Sequence, residues 1–326
     1  MDKEIIIIDD DQVLRNEMES ITISFSNPYI TAATSQNTRR AYQSDIRHFE
    51  RWGGKLPTNT DTILIYLQAF AKTLNPRTLS RRLTALKNWH VYQGFHDPTQ
   101  HPSVSKTLTG IMRTHGKPKE KAPPLLPEHL LKIVTYLNDE KTLRASRDSA
   151  LLQLAFFGAF RRSEIVAICY EHIEWKDQGI DLLIPHSKTD QINEGRYCAI
   201  PYGNGPLCPV QALKQWLDQS RIKQGSIFRR IHPEGHLDEA SLVPLSVSNI
   251  LKKRAQDAAI PEAENFSSHS LRRGLATSAS RDGASLPAIM RQGRWKNVNT
   301  VMEYIEAAQR FEENAAASIL QKVQQD

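Results

Sequence analysis

The sequence is poor in cysteine and has no long apolar run. The three cysteines, Cys169, Cys198 and Cys208, form no CxxC pair, so we expect neither a zinc site nor a disulfide framework. The apolar run Ile5–Ile8 is much shorter than a membrane span or the core of a signal peptide, and no later stretch reaches that length. These absences predict a cytoplasmic protein with reduced thiols and no membrane partner.

Several signatures of enzyme chemistry are also missing. The chain contains no Walker motif and no His/Asp cluster with metal-ligand spacing, so the sequence predicts neither a metal nor a cofactor. Its 42 Lys and Arg exceed 36 Asp and Glu by a formal net charge of +6, which alone is weak evidence for a nucleic-acid partner. Local clustering of the basic residues, as at Arg81-Arg82 and Lys252–Arg254, is more informative.

Length and composition predict two domains in this chain of 326 residues. Residues 1–30 show no sustained period and are interpreted as a flexible N-terminal arm. Residues 31–115 have the apolar spacing of helices throughout. Residues 116–127, GKPKEKAPPLLP, have the composition of a linker, which either follows a phosphate backbone through its lysines or is a solvated hinge. Residues 128–326 combine helical patterns with two short predicted strands.

Within the first domain, the apolar spacing over Thr38–Trp52 predicts an amphipathic helix. Thr58, with Asp61 three residues later, resembles a capping box and predicts the start of the next helix. Asn75-Pro76 is expected to end that helix, and Thr78–Gln93 to form a third. In the second domain the predicted strands are Gly179–Pro185 and Arg196–Pro201.

Four short motifs in the second domain carry residues suited to phosphoryl transfer. In chain order they are Arg161–Glu164 (RRSE), Ser187–Thr189 (SKT), His269–Gly274 (HSLRRG), and Gly293–Trp295 (GRW) followed by Tyr304. Each motif alone has an ordinary explanation, such as a surface ion pair or a core tryptophan. Their joint occurrence in this order is what indicates a site.

Phosphoryl transfer without a metal needs positive donors for the phosphate oxygens, an in-line nucleophile and an acid for the leaving oxygen. Planar guanidinium groups match two phosphate oxygens at once, so Arg161 and Arg272 are candidates for the clamp. Lys188 is the candidate acid, and Tyr304 is the candidate nucleophile.

Two further side chains complete the predicted set. The ring N–H groups of His269 and Trp295 are candidates for supporting the phosphate.

These motifs resemble those of the tyrosine recombinase (phage integrase) family, and especially its Cre-like branch. Arg161–Glu164 resembles the family's first arginine motif, and His269 with Arg272 matches its H-x-x-R motif. The run from Gly293 to Tyr304 is similar to the Cre-like sequence, in which a tryptophan stands where many members have a second histidine. The doubled arginines at 161–162 and 272–273 depart from the pattern.

The resemblance implies a mainly α protein: an N-terminal helical core-binding (SAM-like) domain plus an α+β catalytic domain with a small antiparallel sheet, closing as a C-shaped clamp. It implies site-specific recombination through a 3′-phosphotyrosyl intermediate and a Holliday junction, without metal or ATP. The implied partner is double-stranded DNA with inverted-repeat half-sites, bound by a dimer per site and a tetramer in synapse. It also implies that Glu164 orients a guanidinium or the histidine.

Basic residues beside apolar ones on the helices of the first domain predict a face toward the major groove. Solvated charge is the alternative for any one of them. The full set of predicted DNA contacts is Arg77, Arg81, Arg82, Lys87, Arg162 and Arg273.

The tail after Tyr304 carries apolar residues at helical spacing. They are Phe311, Ala315, Ile319 and Leu320. In the family such a helix docks on a neighbouring protomer, and packing on its own domain is the alternative.

Two other functions compete with recombination. A type IB topoisomerase shares the chemistry but needs no partner exchange, and a non-catalytic DNA-binding regulator needs no such residue set. The separate helical domain and the apolar tail favour the recombinase, which would be cytoplasmic and nucleoid-associated.

Overall fold

The computed structural model describes residues 33–118, 120–185, 195–309 and 316. Its contacts divide the chain into two compact units, Met1–Glu120 and Lys121–Asp326. The predicted arm over residues 1–30, Lys188 and the apolar tail residues Phe311, Ala315, Ile319 and Leu320 lie outside the described residues.

The described part of the first unit is helical. Its helices are α1 (Gln36–Arg51), α2 (Thr60–Phe70), α3 (Pro76–Tyr92) and α4 (Pro102–His115). Helix α2 begins one residue after Asn59, whose side chain accepts a hydrogen bond from the backbone N–H of Thr62 at 2.9 Å. The predicted capping box at Thr58 is therefore wrong: the asparagine next to it satisfies the free N–H groups of the first turn.

An aromatic cluster packs α1 against α2. Phe49 and Tyr66 are fully buried, with ring centroids 5.1 Å apart in an edge-to-face arrangement. Trp52 and Phe70 pack around them. Burying several aromatic side chains is a large hydrophobic gain for a unit of this size.

The second unit mixes helices with short strands. Its helices are α5 (Pro127–Glu140), α6 (Leu143–Phe157), α7 (Arg162–Val166), α8 (Pro209–Ser220), α9 (Pro244–Asp257), α10 (Ser268–Arg281), α11 (Leu286–Gly293) and α12 (Val298–Gln309). Its described strands are β1 (Ile173–Lys176), β2 (Gly179–Ile184), β3 (Arg196–Pro201), β4 (Arg229–Ile231) and β5 (Leu237–Ser241). This confirms the predicted mainly α class with a small antiparallel sheet.

Among the described residues, β1, β2 and β3 form one antiparallel sheet in that order. Leu182 on β2 faces Ile173 on one side and Cys198 on the other. Strands β2 and β3 agree with the prediction to within a residue. Strand β1 and the β4–β5 hairpin were not predicted, because sequences as short and charged as IEWK and RRI have no readable alternation.

Helix α6 lies at the centre of the second unit and is buried along almost its whole length. Helix α8 packs against it. Trp216 of α8 is fully buried, and its ring N–H donates to the carbonyl of Ile227 at 2.8 Å. A separate cluster of apolar residues lies under α10, α11 and α12. Among the described residues, no helix is both long and apolar enough to cross a membrane.

Glycine at position 274 allows α10 to lie close to the segment before α5. A Cβ there would meet the carbonyl oxygen of Leu125 at 1.9 Å and the ring of Phe156 at 2.8 Å. The backbone N–H of Leu125 also donates to the carbonyl of Ser270 at 2.9 Å, so this contact fixes α10 against the core.

We predict that Gly274→Ala lowers the free energy of unfolding by about 1–3 kcal/mol, because the added methyl group overpacks this contact. Gly110→Ala is the matched control, since that helical glycine has open space around it. The control should be neutral or stabilising by up to about 1 kcal/mol. Urea unfolding of the two variants measures the difference, and equal stabilities would contradict the close-approach argument.

Candidate active site

The first arginine motif lies where α6 turns into α7. Arg161 is the N-cap residue of α7, and its backbone N–H donates to Oε2 of Glu164 at 3.0 Å. Its guanidinium Nη1 donates to Oε1 of the same carboxylate at 2.5 Å. The Glu164 side chain is fully buried, whereas that of Arg161 remains 21% exposed. The short helix thus fixes the carboxylate inside and leaves the guanidinium at the surface.

Arg272 lies on α10, with its guanidinium buried beside the same turn. Its two Nη groups donate to the carbonyls of Ala159 and Gly293. The guanidinium carbon lies 4.1 Å from the centroid of the Trp295 ring, a cation–π contact. Because each Nη carries a second N–H, Arg272 keeps donors beyond these two bonds.

Trp295 connects this arginine to the candidate nucleophile. Trp295 is 8% exposed, and its ring centroid lies 6.2 Å from that of Tyr304 in an edge-to-face arrangement. Both rings belong to an apolar cluster that includes Ile289 and Val301. On its other side, Tyr304 has the guanidinium of Arg273 5.2 Å from its ring centroid. Helix α12 is therefore seated on α10 and α11 with Tyr304 partly exposed.

Arg294 is a member of the site to which the sequence analysis assigned no role. Its side chain is 3% exposed, and its Nη2 lies 3.2 Å from Oε2 of Glu164. The arginine stands within the GRW motif, but its partner is 130 residues earlier in the chain. No local pattern could have shown that its side chain turns inward.

The charges around Glu164 do not cancel. Arg161 and Arg294 pair with this carboxylate, and Arg272 interacts with it electrostatically, so three guanidinium groups surround one carboxylate with a formal balance of 3 − 1 = +2. Burial lowers the pKa of Arg272 to about 9, with Arg161 and Arg294 adding to the effect and Glu164 opposing it. Burial alone would raise the pKa of Glu164, but Arg294 and the hydrogen bonds from Arg161 outweigh it and hold that pKa below its usual range. The cluster therefore favours binding of an anion.

The remaining predicted residues of the second unit are placed as follows. His269 is exposed in the first turn of α10, one helical turn before Arg272. Arg162 is exposed beside Arg161. Arg273 is partly buried and donates to the carbonyl of Ala122. Lys188 belongs to the loop between β2 and β3, outside the described residues.

In the first unit, Arg77 and Lys87 are exposed on α3, as a DNA contact requires. Arg81 is also exposed but makes a bidentate pair with Asp45, at 2.8 Å for both bonds.

The predicted DNA contact at Arg82 needs correction. Its side chain is 11% exposed, and Nη1 lies 3.1 Å from the hydroxyl of Tyr66 and 2.7 Å from Nδ1 of His48. The apolar neighbours on α3 bury this face of the helix, so Arg82 supports the packing of the unit. We therefore remove Arg82 from the set of DNA contacts.

A possible set of metal ligands occurs away from this cluster. Within the described residues, His232, Glu234 and His236 lie in the turn between β4 and β5, with ligand atoms within 4.8 Å of one another. Two of the three are exposed, and none belongs to the arginine motifs. These residues take no part in the site around Glu164.

Comparison with known proteins identifies the family of this chain. Residues 124–310 match the model of the phage integrase family, and residues 26–93 match the N-terminal SAM-like domain of phage integrases. An integrase/recombinase described as a XerD homolog, from Selenomonas ruminantium, is 39% identical over 86% of this chain and 84% of its own length. The chain therefore belongs to the phage integrase family and is a site-specific tyrosine recombinase.

A further relative and a solved structure are also similar to this chain. The recombinase Cre of Escherichia phage P1 is 26% identical over 78% of this chain and 77% of its own length. The XerH recombinase, solved with a palindromic difH substrate after cleavage, has a TM-score of 0.67 over 96% of this chain and 90% of its own, with 16% identity. The last match concerns the fold alone. Neither the topoisomerase nor the regulator gains support from these relatives.

We predict that Glu164→Gln destabilises the protein by about 3 kcal/mol at neutral pH, because it leaves buried guanidinium charges without their counter-ion. The folded-state pKa of Glu164 is depressed, so its contribution is present above the unfolded pKa of about 4.3 and is lost as the pH falls below it. The difference in free energy of unfolding between wild type and variant should therefore become smaller in acid.

Urea unfolding at pH 7 and at a pH below the unfolded pKa of about 4.3 tests this pH dependence. Glu239→Gln, which neutralises an exposed carboxylate on β5, is the control and should change stability little at either pH. A gap between wild type and Glu164→Gln that stays constant with pH would show that Glu164 is not the group that titrates.

Proposed function

We propose that this recombinase cuts DNA by attack of the Tyr304 hydroxyl on a phosphodiester, forming a 3′-phosphotyrosyl bond and releasing a 5′ hydroxyl. The observation that carries the proposal is the chain of contacts from Arg272 through Trp295 to Tyr304, beside a cluster with excess positive charge. A nucleophile held next to unneutralised guanidinium groups is the arrangement that attack on a phosphate requires.

The proposed clamp consists of Arg161 and Arg272. As the phosphorus becomes five-coordinate, negative charge grows on its non-bridging oxygens, and preorganised donors stabilise that charge more than the ground state. The phosphodiester would also supply the anion that offsets the net positive charge around Glu164. These two arginines replace the cation of metal-dependent phosphoryl transfer, so we propose that no metal is required.

The remaining roles rest on the sequence motifs. We assign Lys188 as the acid that protonates the leaving 5′ oxygen, since it falls in the loop joining β2 to β3. His269 and Trp295 are assigned as ring N–H donors to the phosphate. The phosphotyrosine keeps the bond energy, so a partner strand's 5′ hydroxyl can reverse the attack without ATP.

The proposed substrate is double-stranded DNA with inverted-repeat half-sites. The palindromic substrate of XerH supports this choice, because a palindrome presents the same half-site to each protomer of a dimer. We propose one dimer per site and a tetramer with a Holliday junction in synapse. The proposed division is a core-binding domain (31–115), a linker (116–127) and a catalytic domain with a docking helix (128–326), acting in the cytoplasm at the nucleoid.

Tyr304→Phe should abolish strand cleavage and leave half-site binding unchanged, because only the phenolic oxygen is removed and the ring contacts with Trp295 remain. A nicked suicide substrate and a denaturing gel detect the covalent complex, and excess chelator in the buffer tests metal independence in the same assay. A covalent complex in the variant would exclude Tyr304 as nucleophile. Activity that needs added magnesium would refute metal independence.

Arg161→Ala and Arg272→Ala should each slow single-turnover cleavage by at least about 10²–10³-fold, the usual loss for one preorganised donor to a developing oxyanion. Arg77→Ala is the matched control, since it removes an exposed arginine of the other unit and should alter DNA affinity more than the rate of cleavage on saturating DNA. A near-normal rate in either clamp variant would reject that arginine's role.

A further inference from the structure

Arg294 has an unfavourable backbone conformation for its residue type. It follows the last residue of α11 with φ +56° and ψ +40°, in the left-handed region. That conformation is unfavourable for a residue with a Cβ, because the Cβ comes too close to the following carbonyl oxygen, whereas glycine adopts it freely. Such outliers persist where other interactions fix them, and they are concentrated at functional sites.

The interactions that fix Arg294 are those of its buried guanidinium. Nη1 donates to the carbonyl of Gln292 at 2.8 Å, and Nη2 donates to that of Gly158 at 3.0 Å. The guanidinium carbon lies 4.7 Å from the centroid of the Phe160 ring. These contacts come from α11 and from the turn between α6 and α7. They fix the position of the charge of Arg294.

Arg294 and Arg161 contact different oxygens of the Glu164 carboxylate. Nη2 of Arg294 lies 3.2 Å from Oε2 of Glu164, while the guanidinium of Arg161 bonds to Oε1 at 2.5 Å. The exposed fraction is 3% for the Arg294 side chain and 21% for that of Arg161. Only Arg161 of this pair therefore has access to a ligand at the surface, whereas Arg294 is confined to the interior.

We propose that Arg294 is a positioning residue that stays on Glu164 and so allows the Arg161 guanidinium to turn from that carboxylate to the DNA phosphate. The inference rests on the proposed function of Arg161. Without a second cation, the departure of Arg161 would leave a fully buried carboxylate with no guanidinium partner, which is strongly unfavourable. Glu164 would then compete with the phosphate for Arg161, and the guanidinium of Arg161 would contact the phosphate less often.

Glu164 has further neighbours that bear on this competition. The backbone N–H of Arg161 continues to donate to Oε2 when its side chain moves, but a neutral donor does not balance the charge. Arg272 interacts with Glu164 electrostatically, while its Nη groups are directed at two backbone carbonyls. Arg294 is thus the remaining guanidinium in hydrogen-bonding contact with the carboxylate among the described residues.

Arg294→Met tests the proposal in the full-length protein. We expect the single-turnover rate of suicide-substrate cleavage to fall by about 10- to 100-fold, less than the loss for a donor that touches the phosphate, while half-site affinity stays near wild type. Arg221→Met is the matched control, because Arg221 has the same left-handed backbone at the end of α8 but an exposed side chain. The control should cleave at the wild-type rate.

Glu164→Gln separates positioning from a direct effect of the Arg294 charge. The neutral amide of this variant has no charge with which to hold Arg161, so adding Arg294→Met to Glu164→Gln should lower the rate by less than about threefold, a non-additive result. If the two substitutions instead multiply, Arg294 acts on the phosphate through its own field and the proposal is overturned. Wild-type cleavage in variants lacking Arg294 would overturn it as well.

Two further measurements show whether a loss of cleavage arises from misfolding of the variant or from a substrate that even the wild type does not cleave. Neither of these causes would bear on the role of Arg294. If Arg294→Met does not fold, as judged by circular dichroism and half-site binding, Arg294→Gly removes the same charge and suits the left-handed backbone. Wild type and Tyr304→Phe are run in parallel. Absence of a covalent complex in wild type would reject the proposed function, whereas a slow Arg294 variant beside an active wild type supports the positioning role.

Discussion

The buried carboxylate of Glu164 is the feature around which the site is organised. A full charge at 1% exposure is tolerated only with close partners of opposite charge, and here they come from the start of α7 and from the turn after α11. Arg161 reaches it from three residues earlier, and Arg294 reaches it across 130 residues of sequence. The carboxylate therefore brings together the turn before α7 and the turn before α12, which lie far apart along the chain.

The apolar packing around this charge positions Tyr304, the proposed nucleophile. Trp295 lies one residue after Arg294, covers the guanidinium of Arg272 and packs against Tyr304. A Cβ at Gly293 would meet the Trp295 ring at 1.8 Å, so a glycine is needed where the indole folds back over the turn. The position of Tyr304 thus depends on the same turn that supplies Arg294 to Glu164. A change in this turn would therefore affect both the ion pair and the apolar packing.

Periodicity was enough to predict helices α1 and α3 and the strands β2 and β3, because amphipathic segments of that length carry a clear local pattern. Motif order predicted Arg161, Arg272, Trp295 and Tyr304 as site residues, and in the structure these side chains lie near one another. Local patterns say nothing about which side chains meet across the fold, so the inward turn of Arg294 was missed. For the same reason the burial of Arg82, which faces Tyr66 and His48 from another helix, was not foreseen.

The excess of positive charge is electrostatically unfavourable in the free protein, and binding of a DNA phosphate would reduce that repulsion. Burial is the main cause of the lowered pKa of Arg272, and the nearby guanidinium groups of Arg161 and Arg294 add repulsion to it. In the proposed mechanism a phosphodiester relieves part of that repulsion in the ground state, and the additional negative charge of the transition state relieves more of it. Because the repulsion falls most when the phosphate charge is greatest, the same arrangement that makes the free site unfavourable also makes it selective for the transition state. Glu164 and Arg294 together set how large that excess is, without either of them needing to touch the DNA.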